Sequence, residues 1–275
     1  MRKSIKKIIA TVLTVAMAMS VGMPAFAEDE IGVLDQATKE KICLIYALDM
    51  DELDVMSDSD LRQYLDGIEN MEFISSSEKY YKEIIDEEGI SKLIEGSEQE
   101  YNQSLKSKAS TNWLKMTSTL ASKDSRIGTA SLRCEWLIRP TFCQTDILGV
   151  NVKQGSIIKN TQTGIYFKTY TDGNTKHVDY NSNDVVVTNA GTILKVDLDP
   201  GYDKLIAKHV ITTKTDFYKE SGSEQLTSTY LHQRMSISLS PSFSFTSDGK
   251  LSVSGGINIG ASYDAAYDND SISWI

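Results

Sequence analysis

The chain has 275 residues, a formal net charge of −10 and 40% hydrophobic side chains, which suffices for the core of one large domain or two smaller ones. The charge is uneven, because residues 28–108 hold 22 acidic and 8 basic side chains whereas residues 109–275 hold 16 of each. An acidic segment disfavours nucleic acid, whose phosphates demand a basic surface, and it also disfavours anionic lipid. These acids either solvate helix faces or steer a cationic partner.

The first 27 residues have the order of a cleavable export signal. Four basic side chains come first: Arg2, Lys3, Lys6 and Lys7. An apolar run of 14 residues follows over 8–21, and Ala25 and Ala27 mark the cleavage site. Because the run is shorter than the ~20 residues that span a bilayer, cleavage after Ala27 is favoured over an uncleaved anchor. The sequence therefore predicts a secreted mature chain, and loss of the four basic side chains brings its charge to −14.

The acidic residues 28–108 are predicted to form a helical region. Asp35 is a candidate N-cap, and Ser57 or Asp58 can cap a second helix, because apolar residues follow each of them at helical spacing. A third helix is predicted over 77–94, with its tyrosine and isoleucine side chains on one side. The polar residues 96–110 are typical of a linker or a solvated helix tail, and residues 109–126 are assigned as the linker to a second domain.

From about Ile127 the apolar period changes to two, which indicates strands. Eight strand-like runs are separated by turn residues: 129–138, 146–152, 164–170, 185–188, 192–198, 205–218, 226–246 and 251–263. Regular spacing without intervening helices favours an antiparallel β-sandwich over 127–275, with a barrel as the alternative. The whole chain is therefore predicted to be α+β, with its helices segregated from its strands.

The segment 236–263 alternates small polar residues, mostly serine, with apolar residues on both sides of a turn at 247–250. The apolar positions are Ile237, Leu239, Phe243, Phe245, Leu251, Val253, Ile257 and Ile259. In a soluble sandwich, the apolar face packs on a sheet and the polar face meets water. In a membrane, the apolar face meets lipid, and a tilted spanning strand needs ~9–11 residues, which each arm supplies. Pro241 removes a ladder hydrogen bond and favours an edge strand, so the sandwich interpretation is preferred.

Motifs that carry chemistry are sparse. The sequence has no zinc-protease histidine motif, nucleophile elbow, Walker loop or dinucleotide fingerprint. His177 and Asp179 share a strand face, but a chance surface pair is favoured over a zinc site. Glu135 beside Trp136 is the best candidate for a catalytic acid, although a surface strand residue is the simpler interpretation. No organic cofactor is predicted.

A calcium site is considered at the turn over 197–203, where Asp197, Asp199 and Asp203 alternate around Pro-Gly. Hard oxygen ligands in a tight loop suit Ca²⁺, yet the loop lacks the terminal glutamate of an EF-hand, and a plain Pro-Gly turn is favoured.

Three cysteines cannot form a complete disulfide framework. Cys134 and Cys143 either bridge after export or stay as two buried thiols, and Cys43 is expected in the core.

Three hypotheses about function follow from these observations. The leading hypothesis is a secreted, non-catalytic binding protein of the extracellular space or cell envelope, whose ligand the sequence does not name. The alternative is a membrane-active, pore-forming protein that uses the hairpin at 236–261, and only this alternative requires a membrane partner. The third is a secreted hydrolase, which needs two acids or a His–carboxylate pair converging in a cleft. A fold alone does not decide among them.

Overall fold

The structure is a computed structural model, and it describes residues 34–107, 111–202, 204–220, 225–234, 241–254 and 262–272. The predicted export signal at 1–27 lies outside these residues, as do Asp203 and four hairpin positions, Ile237, Leu239, Ile257 and Ile259. Among the described residues, no helix combines the length and the apolar composition needed to cross a bilayer.

Three short helices and one 3₁₀ turn open the described chain, and a fourth helix follows later: α1 Gln36–Tyr46, α2 Met50–Leu53, α3 Asp58–Leu65, the 3₁₀ turn Ile68–Asn70, and α4 Glu98–Ser107. Asp35 caps α1 by accepting the Thr38 N–H at 2.8 Å. Ser57 caps α3, and Asp60 returns the bond by accepting the Ser57 N–H at 3.0 Å. Both predicted caps are therefore confirmed, and they set where these helices begin.

Fifteen strands are described. The first nine in chain order are β1 Glu72–Ile85, β2 Ser91–Gly96, β3 Trp113–Ser122, β4 Ile127–Trp136, β5 Thr145–Lys153, β6 Gly155–Ile157, β7 Thr163–Tyr170, β8 Thr175–Tyr180 and β9 Val185–Val187. The remainder are β10 Gly191–Asp197, β11 Ile206–Lys219, β12 Gln225–Gln233, β13 Ser242–Phe245, β14 Leu251–Ser254 and β15 Tyr263–Ile272.

The strands form two main antiparallel sheets and a separate pair. The larger, eight-stranded sheet has the order β2-β1-β3-β4-β11-β7-β8, with β6 also paired to β11. The smaller, five-stranded sheet has the order β15-β12-β5-β10-β9, and β13 pairs with β14 alone. The α+β sandwich is confirmed, and the sheets do not close into the barrel considered as the alternative within the described residues.

The main core lies between the two sheets. The larger sheet contributes large apolar side chains from Leu114, Met116, Leu132 and Trp136. The smaller sheet contributes Leu148, Val150, Leu194 and Tyr230. A second core forms where the helices cover the outer face of the larger sheet, and it includes Ile42, Tyr46, Tyr64, Ile165 and Phe167. The molecule is thus layered as helices, larger sheet and smaller sheet.

The helix predicted over 77–94 is wrong, since these residues belong to the β1–β2 hairpin at the edge of the larger sheet. Tyr80 packs against Tyr101 of α4, whereas its neighbour Tyr81 enters the core between the sheets. A strand covered on both faces has consecutive apolar residues, and these imitate a helical stripe. Gly89, with φ of 78°, forms the turn between the two strands.

The linker predicted over 109–126 is also wrong, because β3 occupies most of it and pairs with both β1 and β4. Trp113 and Leu114 are fully buried on opposite faces of this strand. Part of the polar stretch before it is the helix α4 rather than a linker. The acidic N-terminal residues therefore contribute two strands to the larger sheet as well as the helices.

His209 of β11 is buried at the middle of the larger sheet. Its Nδ1 lies 2.6 Å from the Tyr166 hydroxyl, and the two rings stack with centroids 5.9 Å apart. The same hydroxyl accepts the Asp199 N–H at 3.0 Å. Burial lowers the pKa of His209 to about 4, because the charged imidazolium would lose its hydration.

This burial predicts an acid-sensitive fold. As the pH falls from 6.5 to about 4, the imidazole of His209 binds a proton in the unfolded state but stays neutral in the folded state. The free energy of unfolding therefore drops by up to about 3 kcal/mol. Denaturant unfolding of the wild type and of His209→Gln at pH 7 and pH near 4 measures this. The variant is expected to be less stable at pH 7 but to lose less stability in acid. Equal losses in the two proteins would contradict the assignment.

Candidate functional site

The candidate site is the hairpin of β13 and β14, residues 242–254, called the docked hairpin below. The chain leaves the smaller sheet at the end of β12 and returns to it in β15, which is paired with β12. Between these two strands, β13 and β14 pair with each other and lie on the outer face of the smaller sheet. The docked hairpin is thus a fourth layer of the molecule.

The docked hairpin turns its apolar side chains toward the sheet. Leu251, which is 2% exposed, packs in a cluster with Ile147, Ile193, Leu231 and Tyr263. The side chains of Phe243, Phe245 and Val253 pack against the same cluster. On the opposite side, Ser242, Ser244 and Ser254 are exposed. The alternation predicted from the sequence is therefore confirmed for the described part of the hairpin, with the polar face toward solvent.

Two glycines of the smaller sheet make room for this packing. A methyl group at Gly149 of β5 would lie 3.2 Å from Leu251 Cδ2 and 3.3 Å from Phe245 Cε1. A methyl group at Gly191 of β10 would lie 2.2 Å from the Val150 carbonyl oxygen of β5 and 2.9 Å from Phe245 Cε2. A side chain at Gly149 would hold the docked hairpin away from the sheet, whereas one at Gly191 would also disturb the sheet itself. The sequence held no signal for this role, because a glycine in a strand is equally typical of a bulge.

Side-chain contacts, rather than a shared strand ladder, hold the docked hairpin in place. In the described residues, its strands pair with each other and with neither of the two main sheets. A hydrogen bond from Leu251 N to Thr229 Oγ1 (3.1 Å) joins it to β12, and Lys195 Nζ lies 4.8 Å from the centre of the Phe243 ring. Burying a side chain such as Leu251 contributes about 1.5–3 kcal/mol. The attachment is thus mostly apolar and can be broken without disrupting either main sheet.

The docked hairpin and the strands that carry it share one register. Gln233 of β12 pairs with Tyr263 of β15, and Ser242 pairs with Ser254 in the docked hairpin. The partners in each pair are equally far in sequence from Asp248, at the centre of the turn. The two described pairings therefore have the register of one symmetric ladder, and residues 235–240 and 255–261 between them lie outside the described residues.

Buried polar groups fix the end of β12, from which the chain leaves the smaller sheet. Asp146 accepts hydrogen bonds from the Tyr230 hydroxyl and the Gln233 N–H (3.2 Å), and it lies 2.9 Å from His232 Nδ1. Burial would lower the pKa of His232, but the charge and hydrogen bond of Asp146 outweigh it and raise that pKa. Neither Asp146 nor His232 is accessible to solvent. This His–carboxylate pair therefore holds β12 to β5 and cannot reach a substrate.

The predicted calcium ligands are partly described. Asp199 binds Lys168 Nζ at 2.9 Å and accepts the Gly201 N–H at 2.8 Å, and the bond from Lys168 holds the pKa of Asp199 below its usual range. Asp197 accepts a hydrogen bond from Thr145. Asp203 lies outside the described residues. These contacts are those of a hydrogen-bonded turn, and the calcium site stays a prediction.

The three cysteines are free thiols in the structure. Cys134 is fully buried in the main core, whereas Cys143 is half-buried near Arg139 and Pro140. Burial raises the pKa of both thiols, which keeps them protonated and poorly nucleophilic.

Glu135 belongs to an ion-pair cluster that the sequence did not reveal. The buried Arg133 guanidinium contacts Glu135 and lies 2.7 Å from both Asp49 and Glu52 of the helical region. Lys208 Nζ lies 3.0 Å from Glu135. Burial would raise the pKa of Glu135, but the two cations outweigh it and lower it. These contacts join the helices to the larger sheet, which is a structural role for Glu135.

Comparisons with known proteins identify no family. No family model matches the chain, and no curated protein matches it. A solved structure titled "Pore forming protein" aligns with a TM-score of 0.27 and 11% identity, over 68% of this chain and 94% of that one. The enzymatically active domain of tailspike protein 4 from bacteriophage CBA120 aligns with a TM-score of 0.22 and 12% identity, over 55% of this chain and 18% of that one. These scores are too low to establish a shared fold, and they support no function.

The packing at Gly149 predicts a way to loosen the docked hairpin selectively. Gly149→Val places methyl groups where Leu251 and Phe245 lie, so we expect the hairpin to open more readily by about 1–3 kcal/mol, while β5 itself tolerates a β-branched residue. Hydrogen exchange of the amides in 242–254, compared with those of β5, measures the opening. Gly149→Ala is the matched control and should give a smaller effect. Unchanged exchange in 242–254 would show that the hairpin does not depend on this contact.

Proposed function

We propose that this is a secreted, membrane-active protein whose docked hairpin swings out and inserts into a bilayer as an extension of β12 and β15. The observation that carries this proposal is the shared register. Because β12–β15 and β13–β14 already pair symmetrically about Asp248, pairing residues 234–241 with 255–262 would complete one continuous ladder. No strand would have to slip, which would otherwise turn every side chain to the opposite face.

The length and the alternation of the sequence support insertion. Residues 236–246 and 250–260 supply 11 residues each, and a tilted spanning strand needs ~9–11. The apolar positions of both arms are odd-numbered, like Leu231 and Tyr263 on the outer face of the smaller sheet. In the completed ladder, Ile237 would lie opposite Ile259 and Leu239 opposite Ile257. One apolar face would therefore run along the whole extended hairpin, with a serine-rich face behind it.

Pro241 is compatible with such a ladder. Arg234 N donates to Ser262 O at 2.9 Å and Thr246 N donates to Lys250 O at 2.8 Å, so the mutually bonded pairs of this register have even numbers. The nitrogen of an odd-numbered residue points away from its partner strand, because bonded and non-bonded pairs alternate in an antiparallel ladder. The proline would therefore remove no hydrogen bond between the two arms of the extended hairpin.

Insertion also requires association of several copies. A single spanning hairpin would leave unpaired backbone groups along both of its edges in the hydrocarbon, at a cost of several kcal/mol per group. Edges of hairpins from neighbouring copies would satisfy each other, and their serine faces would enclose water. The proposed active form is therefore a ring of this chain rather than a monomer.

The export signal predicted at 1–27 supports the proposed location, since it would direct secretion of the chain. A fixed hairpin would instead fit the other predicted function, an extracellular or cell-envelope binding protein with an unnamed ligand. For the predicted hydrolase, the His232–Asp146 pair described above is fully buried and has no access to substrate.

A reversible lock on the docked hairpin tests the proposal. A methyl group at Gly149 would lie 3.3 Å from Leu251 Cβ, within a few tenths of the about 3.5–4.5 Å that disulfides span between Cβ atoms. Gly149→Cys with Leu251→Cys, in a chain carrying Cys43→Ser and Cys143→Ser, should therefore form a bond that pins the hairpin to β5. With phosphatidylcholine liposomes and micromolar protein, we expect dye release from the unlocked mature chain, none from the oxidised pair, and recovery after reduction.

Matched controls separate the lock from the substitutions. Leu251→Cys alone, in the same background, should release dye whether oxidised or reduced. Absence of release by the unlocked mature chain, before and after limited proteolysis, would overturn the membrane proposal and favour the binding protein. Equal release by the locked and reduced pair would show that another part of the molecule acts on the membrane.

A further inference from the structure

Three side chains that can ligate a metal meet between the helical region and the larger sheet. His177 Nε2 lies 3.1 Å from Asp60 Oδ2 and 3.4 Å from Asp179 Oδ2. The ligand atoms of all three lie within 4.8 Å of one another. His177 and Asp60 are mostly buried, whereas Asp179 is 39% exposed, so the cluster is open to solvent on one side.

The fold brings these residues together from distant parts of the chain. His177 and Asp179 are two apart on β8, which ends the larger sheet, and they therefore point to the same face. Their partners on β7 are Phe167 and Ile165, which pack against the helices on that face. Asp60 comes from the first turn of α3, where the Ser57 cap fixes it. Two rigid elements thus hold the three ligand atoms in place.

Asp60 Oδ2 accepts hydrogen bonds from the N–H and the hydroxyl of Ser57, and His177 Nε2 is the group that it shares with Asp179. A neutral imidazole has one N–H at Nε2, and here two carboxylates face that single nitrogen. A divalent cation would interact with both carboxylates at once and would neutralise their combined charge. In a tetrahedral zinc site with bonds of about 2.0–2.1 Å, neighbouring ligand atoms are about 3.3 Å apart. The two distances from His177 Nε2, 3.1 and 3.4 Å, match this spacing.

We propose that Asp60, His177 and Asp179 form a binding site for a zinc-like divalent cation, with water in the remaining position on the exposed side. The imidazole ligand selects zinc and similar transition metals over calcium, which takes six to eight oxygen ligands. Bound metal would clip α3 to the edge strand β8. It would thereby fasten the acidic helical layer to the larger sheet.

Titration calorimetry with Zn²⁺ on the mature, untagged chain tests the proposal, in a background with Cys43→Ser and Cys143→Ser to remove accessible thiols. We expect one zinc per chain and a higher unfolding temperature in its presence, because metal that binds only the folded state stabilises it. His177→Gln and Asp179→Asn should each weaken binding by more than about 10-fold and reduce the rise in temperature. Asp60 is left intact, because it also caps α3.

Asp51→Asn, which removes an exposed carboxylate of α2, is the matched control and should bind zinc like the parent. His209 and His232 are fully buried, so imidazole ligation reports on His177. The metal-free unfolding temperature of each variant separates lost binding from lost folding. Absence of zinc binding by the parent, or equal binding by a folded His177→Gln variant, would overturn the proposal, and neither result bears on membrane insertion.

Discussion

The smaller sheet has apolar side chains on both of its faces, and the arrangement of the layers depends on this constraint. One face packs against the larger sheet, so the other, with Ile147, Ile193 and Leu231, needs a cover of its own. The docked hairpin supplies that cover. The outer face of the larger sheet is also apolar, and the helices cover it. The two outer layers differ in attachment, because buried ion pairs of Arg133 reinforce the helices whereas side-chain packing dominates under the hairpin.

This difference links stability to the proposed activity. If the docked hairpin leaves, both its own apolar face and that of the smaller sheet meet water, at a cost set by the area exposed. The open state is therefore populated only where another apolar surface covers these two faces, and lipid or neighbouring copies can do so. The serine face meets water in the docked state and would do so again in a water-filled lumen. One alternating pattern thus suits both states, which is why the pattern alone does not distinguish a sandwich strand from a spanning strand.

Local patterns predicted the elements that turn residues delimit. The caps at Asp35 and Ser57 follow from turn chemistry. The strands after about residue 127 follow from β-type runs between turn residues, even where both faces are buried, as in β5. The prediction failed at β1–β2 and at β3, where both faces are covered and consecutive residues such as Tyr80 and Tyr81 are buried on opposite sides. Burial on two faces removes the alternation by which a strand is recognised, and adjacent apolar pairs then resemble a helix.

By itself, the sequence determined the alternation of 236–263, the turn at its centre and the acidity of the N-terminal region, because each of these is a property of neighbouring residues. Only the tertiary structure decided that the hairpin docks over Gly149 and Gly191, in register with β12 and β15. It alone also placed Asp60 beside His177. Such contacts join residues far apart in the chain. They arise from the way in which strands and helices pack, and the periodicity of neighbouring residues carries no information about that packing.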